Sequence, residues 1–291
     1  IRNMFATMVS AKVLDFMDRN PESFNLRGHK AQATIMFSDI AGFTPISEDL
    51  SPEKLVQLLN EYLTPMTDII LENGGYVDKY EGDAIMAEWG VPFPNAKHAT
   101  QACYACLEQQ YKLDSIRQDL QDKFGHTINV RMGLNSGEVS AGNMGSTTRF
   151  SYTVMGDAVN LAARPEPTNK VYGTLIMIGE STYELAKDDI ECRLLDKVVV
   201  VGKKEAIRVY ELIAKKDQIS EDNKRLVQHY EKGLVLHEQR LWQDAIDEFA
   251  EALKIDAQDS PSKVLIERIE EYKHNPPPES WQGEYVRTSK D

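Results

Sequence analysis

The feature that most narrows the fold is an apolar run ending in an acid. Thr34-Ile-Met-Phe-Ser-Asp-Ile-Ala-Gly-Phe-Thr44 carries β-type residues up to Asp39, breaks into small residues at Ala41 and Gly42, and then turns helical. A strand stopping there delivers a carboxylate beside backbone N–H groups freed by the turn. Further along, Glu81-Gly82-Asp83-Ala84 repeats the arrangement, with Asp83 in a tight turn between strand-like runs over Tyr76–Tyr80 and Ala84–Trp89. Two strand-end carboxylates near a donor-rich, glycine-containing turn suit a pair of divalent ions and a polyphosphate. Taken alone, they read equally well as two turn-capping aspartates, because Asp favours turns.

Composition sets the outer limits. With 291 residues, 42% of them hydrophobic, the chain can hold one sizeable α/β domain and a small addition. A net charge of −13 argues against a nucleic-acid partner, since most of the surface would repel a phosphate backbone. Three cysteines make no disulfide framework; Cys103 and Cys106, at i, i+3, read as reduced packing residues of a cytoplasmic protein, with metal binding the lesser alternative. No apolar run approaches the roughly eighteen residues of a membrane span, and no signal peptide is visible. Because the first residue is Ile1, an upstream sensor or membrane anchor is compatible with the chain, which would then be the cytoplasmic portion of a receptor.

Along the chain, residues 1–28 place Phe5, Val9, Val13 and Phe16 at helical spacing and predict a short amphipathic helix that needs a partner to pack on. Ser51-Pro52-Glu53 starts a helix whose apolar face runs from Leu55 to Ile70, with a kink expected at Pro65 and a stop at Asn73-Gly74-Gly75. A second long helix is expected from about Lys97 to Phe124. Thr127–Leu134 reads as a strand, Asn135-Ser-Gly137 as a turn, and Glu138–Met155 as a hairpin with a polar loop at 145–148. Gly156-Asp157 opens a short helix holding Asn160 and Arg164, into which Pro165 cuts. Thr174–Ile178, Glu180–Ala186, Cys192–Val201 and Ile207–Ile213 follow as strand, helix, strand and strand. The result is an α/β (α+β) fold: a ferredoxin-like βαββαβ sandwich with extra strands over residues 29–214. Residues 215–275 read as a tetratricopeptide-like helix pair, with Trp242 in its turn, docking on the preceding domain or on its copy. Residues 276–291 read as an extended tail.

Three stretches in order, Phe37-Ser-Asp-Ile-Ala-Gly-Phe-Thr44, Lys79-Tyr-Glu-Gly-Asp-Ala-Ile-Met86 and Gly156-Asp-Ala-Val-Asn-Leu-Ala-Ala-Arg164, closely resemble the catalytic domain of class III nucleotidyl cyclases. The resemblance covers roughly residues 30–214. It implies that Asp39, Asp83 and the backbone carbonyl of Ile40 hold two Mg²⁺ (or Mn²⁺) ions per active site, while the turn at Gly42, Phe43 and Thr44 holds phosphates. Asn160 would orient the ribose and Arg164 would meet charge on the reacting phosphate; an exposed surface pair is the plainer reading. Lys79 and Thr153 match the family's two purine-reading positions. A Lys and a hydroxyl suit adenine, whereas guanine calls for an acid at the first position, so ATP is the implied substrate. A solvated strand lysine is the plainer reading of Lys79. In the family the metal acids of one copy face the Lys, Thr, Asn and Arg of the other, which implies a homodimer with sites at its interface. The residues before the domain would carry a signal from an upstream sensor.

Two departures stand out. The family's late phosphate-binding lysine is replaced by Val201 in Val200-Val-Gly-Lys-Lys204, leaving Lys203 or Lys197 to substitute. Pro165 directly follows Arg164 and disfavours helical geometry there. These departures support a rival reading, a catalytically silent nucleotide-binding dimer. A diguanylate cyclase is disfavoured by the Glu81-Gly-Asp-Ala84 turn, and an interaction module by the single helical repeat.

Overall fold

The computed structural model describes residues 28–146, 150–199 and 206–286. The expected amphipathic helix within residues 1–28 therefore lies outside the described residues, as does Lys203. The frame begins with β1 (His29–Ile40), α1 (Phe43–Asp49), α2 (Pro52–Glu72), β2 (Tyr76–Glu81), β3 (Ala84–Trp89), α3 (His98–Phe124) and β4 (Val130–Gly145). These strands lie in the order β2-β3-β1-β4, every neighbouring pair antiparallel, which is the order a βαββαβ unit produces. Next come β5 (Phe150–Met155), α4 (Asp157–Ala162), α5 (Pro165–Tyr172), β6 (Ile176–Gly179), α6 (Glu180–Ala186), β7 (Ile190–Val199) and β8 (Ala206–Lys215). The sheet continues from β4 through β6, β8 and β7, and β5 folds back on β4.

Alternation along the strands separates two buried layers. On β3, Ile85, Ala87 and Trp89 join the core beneath α2 and α3, while Met86 falls in a second cluster with Tyr152, Val154 and Ala158. Helix α2 supplies Leu58, Tyr62, Met66 and Ile70, one per turn, to the first layer. Its start is as expected: Ser51 caps the N–H of Lys54 and Pro52 takes the first helical position. The helix then runs through Pro65 to Glu72 without interruption. Cys103 and Cys106 are buried free thiols in this layer.

Three local expectations are corrected. Asn135-Ser136-Gly137 is not a turn but the middle of the sixteen-residue β4. Its turn-type residues answer to tertiary packing: Asn135 Nδ2 donates to the Ala158 carbonyl and its Oδ1 accepts from Ser181, and a Cβ on Gly137 would stand 2.9 Å from that of Ala158. Pro165 does not damage one helix but opens a second. The chain leaves α4 at Ala163 and restarts with Pro165 at the first position of α5, where its missing N–H costs nothing. Arg164, the cap between them, still adopts right-handed helical angles (φ −98°, ψ −38°), so Asn160 and Arg164 sit on successive helices and not on one face of one helix. Trp242 is the first residue of a helix and lies outside the turn.

Among the described residues the C-terminal part holds three helices, α7 (Glu221–Glu238), α8 (Trp242–Ile255) and α9 (Ser260–His274), followed by a short strand β9 (Tyr285–Val286). It docks on the sheet domain: Tyr230, Leu234, Phe249, Leu265 and Ile269 share one buried cluster with Tyr172, Met177, Leu195, Val198 and Val209. Buried charge reinforces this packing. Arg268 binds Asp196, which also accepts from the Tyr172 hydroxyl, and Arg193 binds Asp259 at 2.8 Å and Glu211 at 2.9 Å. The tail is tied back by Arg240, whose Nη1 donates to the Pro277 carbonyl, and β9 pairs in parallel with the end of β7.

Candidate active site

The chain is threaded so that two acids arrive at one corner. Strand β1 ends at Asp39-Ile40, and the β2–β3 turn carries Asp83 to the same place, where the Ile40 N–H donates to Asp83 Oδ2 at 2.7 Å. Burial lifts the Asp83 carboxyl above its ordinary range; the Ile40 N–H works against that, and the neighbouring negative charge of Asp39 adds to it. A carboxylate pair that repels across a partly buried gap is a donor set for a hard divalent cation. Asp39, Asp83 and the Ile40 carbonyl therefore fit such an ion. Two carboxylates and one carbonyl are fewer than the roughly six oxygen ligands such an ion takes, and among the described residues no group of three or more His, Cys, Asp or Glu side chains is placed to hold a metal. Substrate phosphates and water suit the remainder.

Next to these acids, Gly42 adopts left-handed angles (φ 69°) and caps α1, whose first turn has no side-chain cap and no acidic residue. The N–H groups of Phe43 and Thr44 thus open a short helix toward the corner. The Ala41 N–H is not part of this cradle, because it donates to the Asn129 carbonyl at 2.8 Å.

Sequence reasoning missed two residues here. Arg131, the register partner of Asp39 on β4, donates from Nη2 to Asp39 Oδ1 (3.4 Å) and from Nε to Glu166 Oε1 (3.1 Å). Burial, with a hydrogen bond to Asp39 and the charge of Asp39, pushes the Glu166 carboxyl up to about 8, against the pull of Arg131. Glu166 reaches the corner because Gly133 lets α5 lie against β4: a Cβ at Gly133 would stand 2.3 Å from the Glu166 nitrogen. An acid in the first turn of α5 was the one sequence sign of it.

A second group forms where β2 meets β5. Thr153 donates from its hydroxyl to Asp78 Oδ2, and Lys79 Nζ lies 3.4 Å from Asp78 Oδ1. Lys79 and Thr153 thereby meet the same carboxylate. Asp78 was not singled out from sequence. Asn160 is exposed on α4, and Arg164 has a buried Nη1 with no hydrogen-bond partner among the described residues. No hydrogen bond or ion pair among the described residues links Asp39 or Asp83 to Lys79, Thr153, Asn160 or Arg164. Of the two candidate late lysines, Lys197 is engaged with the tail, donating to the Gln282 carbonyl at 3.2 Å. No helix of the described residues is long and apolar enough to cross a membrane.

The chain is similar to known proteins. The family model for the adenylate and guanylate cyclase catalytic domain matches residues 27–214. An adenylate cyclase of Anabaena cylindrica is 40% identical over 188 residues, covering 62% of this chain and 36% of that protein, so the chain spans well under half the length of this relative. Among solved structures, the adenylyl cyclase CyaB from P. aeruginosa is 33% identical, with a TM-score of 0.61 over 67% of this chain and 100% of the other. The guanylyl cyclase Cya2 is 32% identical with the same TM-score, over 67% and 98%. A family match across well over half its length, on the strands and turns that carry Asp39 and Asp83, means that the chain belongs to the adenylate and guanylate cyclase catalytic-domain family.

Proposed function

We propose that the chain is an adenylate cyclase, converting ATP to 3′,5′-cyclic AMP and pyrophosphate at sites shared between two copies. The observation that carries the choice of base is the meeting of Lys79 and Thr153 on one carboxylate, which sets a fixed cation beside a hydroxyl. Adenine offers an acceptor at N1 and an amine beside it, matching those two groups; an acid in place of Lys79 would be needed to receive guanine N1–H.

The reaction is intramolecular. The ribose 3′-oxygen forms a bond to the α-phosphorus as the bond to the bridging oxygen breaks, and pyrophosphate leaves in line. Mg²⁺ or Mn²⁺, two ions held by Asp39, Asp83 and the Ile40 carbonyl, would lower the pKa of the attacking hydroxyl and neutralise charge on the leaving group. The N–H groups of Gly42, Phe43 and Thr44 cradle the phosphates, with Lys203 as the candidate late lysine. Asn160 orients the ribose, and Arg164 brings a guanidinium, whose Nη1 has no partner among the described residues, to the α-phosphate. The solved guanylyl cyclase domain of the RhoGC fusion protein from Blastocladiella emersonii, 29% identical and described as dimeric, supports a reading in which each site draws one set from each copy.

The test is cAMP and cGMP production from ATP and GTP by the purified chain with Mg²⁺ or Mn²⁺. ATP turnover is expected, falling to background in Asp39→Ala and Asp83→Ala with folding retained, and base preference is expected to shift in Lys79→Glu. Mixing Asp39→Ala with Arg164→Ala chains should restore activity; an inactive mixture sinks the shared site. The engagement of Asp39 by Arg131 and of Lys197 by Gln282 favours one rival, a silent nucleotide-binding dimer, which predicts ATP binding without turnover in the same assay.

A further inference from the structure

The β2–β3 pairing contains an irregularity at the base-reading group. Val77 faces Ala87 and Lys79 faces Met86, so Asp78 is an extra residue bulged out of the ladder. Neighbours on a regular strand point to opposite faces, and a bulge re-aims one of them. Here it brings Asp78 and Lys79 together, with the Asp78 side chain 1% exposed and that of Lys79 43% exposed. The carboxylate is therefore the floor of the group, Lys79 Nζ is its exposed part, and Thr153, itself nearly buried, stands on the other carboxylate oxygen. Beneath the floor lies Glu88, fully buried, with neither carboxyl oxygen meeting a donor. Its register partners are Tyr76 and Ile35, in an apolar layer. Burial holds the Glu88 carboxyl well above its usual range and the charge of Asp78 adds to this, both favouring its neutral form.

A hydroxyl has one proton and two lone pairs, and an ionised carboxylate only accepts. The contact with Asp78 consumes the Thr153 proton, so toward a ligand Thr153 can only accept, while Lys79 can only donate. Adenine presents an N6 donor beside an N1 acceptor; guanine presents an O6 acceptor beside an N1–H donor. The pair is complementary to the first edge and opposed to the second at both positions. We propose that Asp78 is a specificity-determining residue: its buried carboxylate fixes the Thr153 hydroxyl as an acceptor beside the Lys79 donor, so the pocket takes adenine and rejects guanine. This rests on the adenylate cyclase reading and names the residue that enforces it, acting through Thr153.

Asp78→Asn tests it, because the amide keeps the shape but can donate to Thr153 and turn the hydroxyl proton outward. The ratio of kcat/KM for ATP to that for GTP should fall about tenfold or more, the size of one hydrogen-bond mismatch in a buried site. In a Thr153→Val background the same change should leave the ratio where Thr153→Val alone puts it. Equal losses for both nucleotides with an unchanged ratio would make Asp78 a structural residue and overturn the inference. So would an undiminished effect of Asp78→Asn without the Thr153 hydroxyl. Calorimetric binding of α,β-methylene ATP and GTP separates the layers. Wild type that binds neither analogue overturns the cyclase reading and this inference with it; wild type whose adenine preference survives Asp78→Asn overturns the inference alone. If Asp78→Asn does not fold, Thr153→Ser should keep the preference and Thr153→Val lose it, and equal preference in both would sink the proposal.

Discussion

Gly133 is the residue at which the smallest change reaches the site by the shortest path. A methyl group there would sit 2.3 Å from the backbone nitrogen of Glu166 and 3.0 Å from its Cα, and backbone atoms cannot swing aside. Gly133→Ala must push α5 off β4, carrying Arg164 and Glu166 with it. We expect a loss of about 1–3 kcal/mol in urea unfolding, the usual cost of overpacking. Cyclase turnover should fall about a hundredfold, since a misplacement near 1 Å costs that much where geometry sets the rate. Full turnover in a destabilised variant would show that α5 does not position the site. The same residue marks what a sequence can reveal. Asp39 and Asp83 are legible because each stands where a local pattern, strand into turn, dictates its place. Arg131, Glu166, Asp78 and Glu88 owe their roles to neighbours distant in the chain, and the Asp78 bulge has no compositional sign. Asn135 and Gly137 look like turn residues for the same reason: residues favoured in turns serve here a buried amide contact and a close helix approach.

Among elements, α5 is the one on which the molecule converges. Its first turn carries Glu166 and its cap is Arg164, Asn169 ties it to the Met132 carbonyl of β4, and Tyr172 at its end meets the Asp196–Arg268 pair. Pro165 was legible as a helix break, but not as the start of the next helix, because that depends on β4 and α9 being present to hold it. The Asp196–Arg268 pair is almost wholly buried, so removing one partner strands the other. Arg268→Met should cost about 3–5 kcal/mol in chemical denaturation, whereas Asp196→Leu combined with Arg268→Met should cost much less, since no buried charge is then left alone. Equal losses in single and double variants would mean that packing around Arg268, and not its charge, holds α9 in place.

For the whole molecule, pH acts through a group in the C-terminal helices and not at the Asp39–Asp83 corner. His237 is fully buried among Trp242, Tyr272 and Trp281, and neither ring nitrogen has a hydrogen-bond partner among the described residues. Burial lowers its pKa to about 4, with Asp196 pulling it up and Arg268 pushing it down. The unfolded chain takes up this proton near pH 6.5 and the folded chain only near 4, so stability from this group is complete above 6.5 and is lost as pH falls toward 4. The loss should approach about 3 kcal/mol, read as a drop in urea midpoint between pH 7 and pH 4.5 that His237→Phe makes shallower. An equal drop in that variant would assign the acid sensitivity elsewhere. The family match stops at residue 214, but the apolar cluster that joins Tyr172 and Val209 to Phe249 and Leu265 runs straight across that point. Anyone trimming the protein to its recognisable portion would therefore unclothe an oily flank, and the shortened piece should stick to itself before it could be assayed.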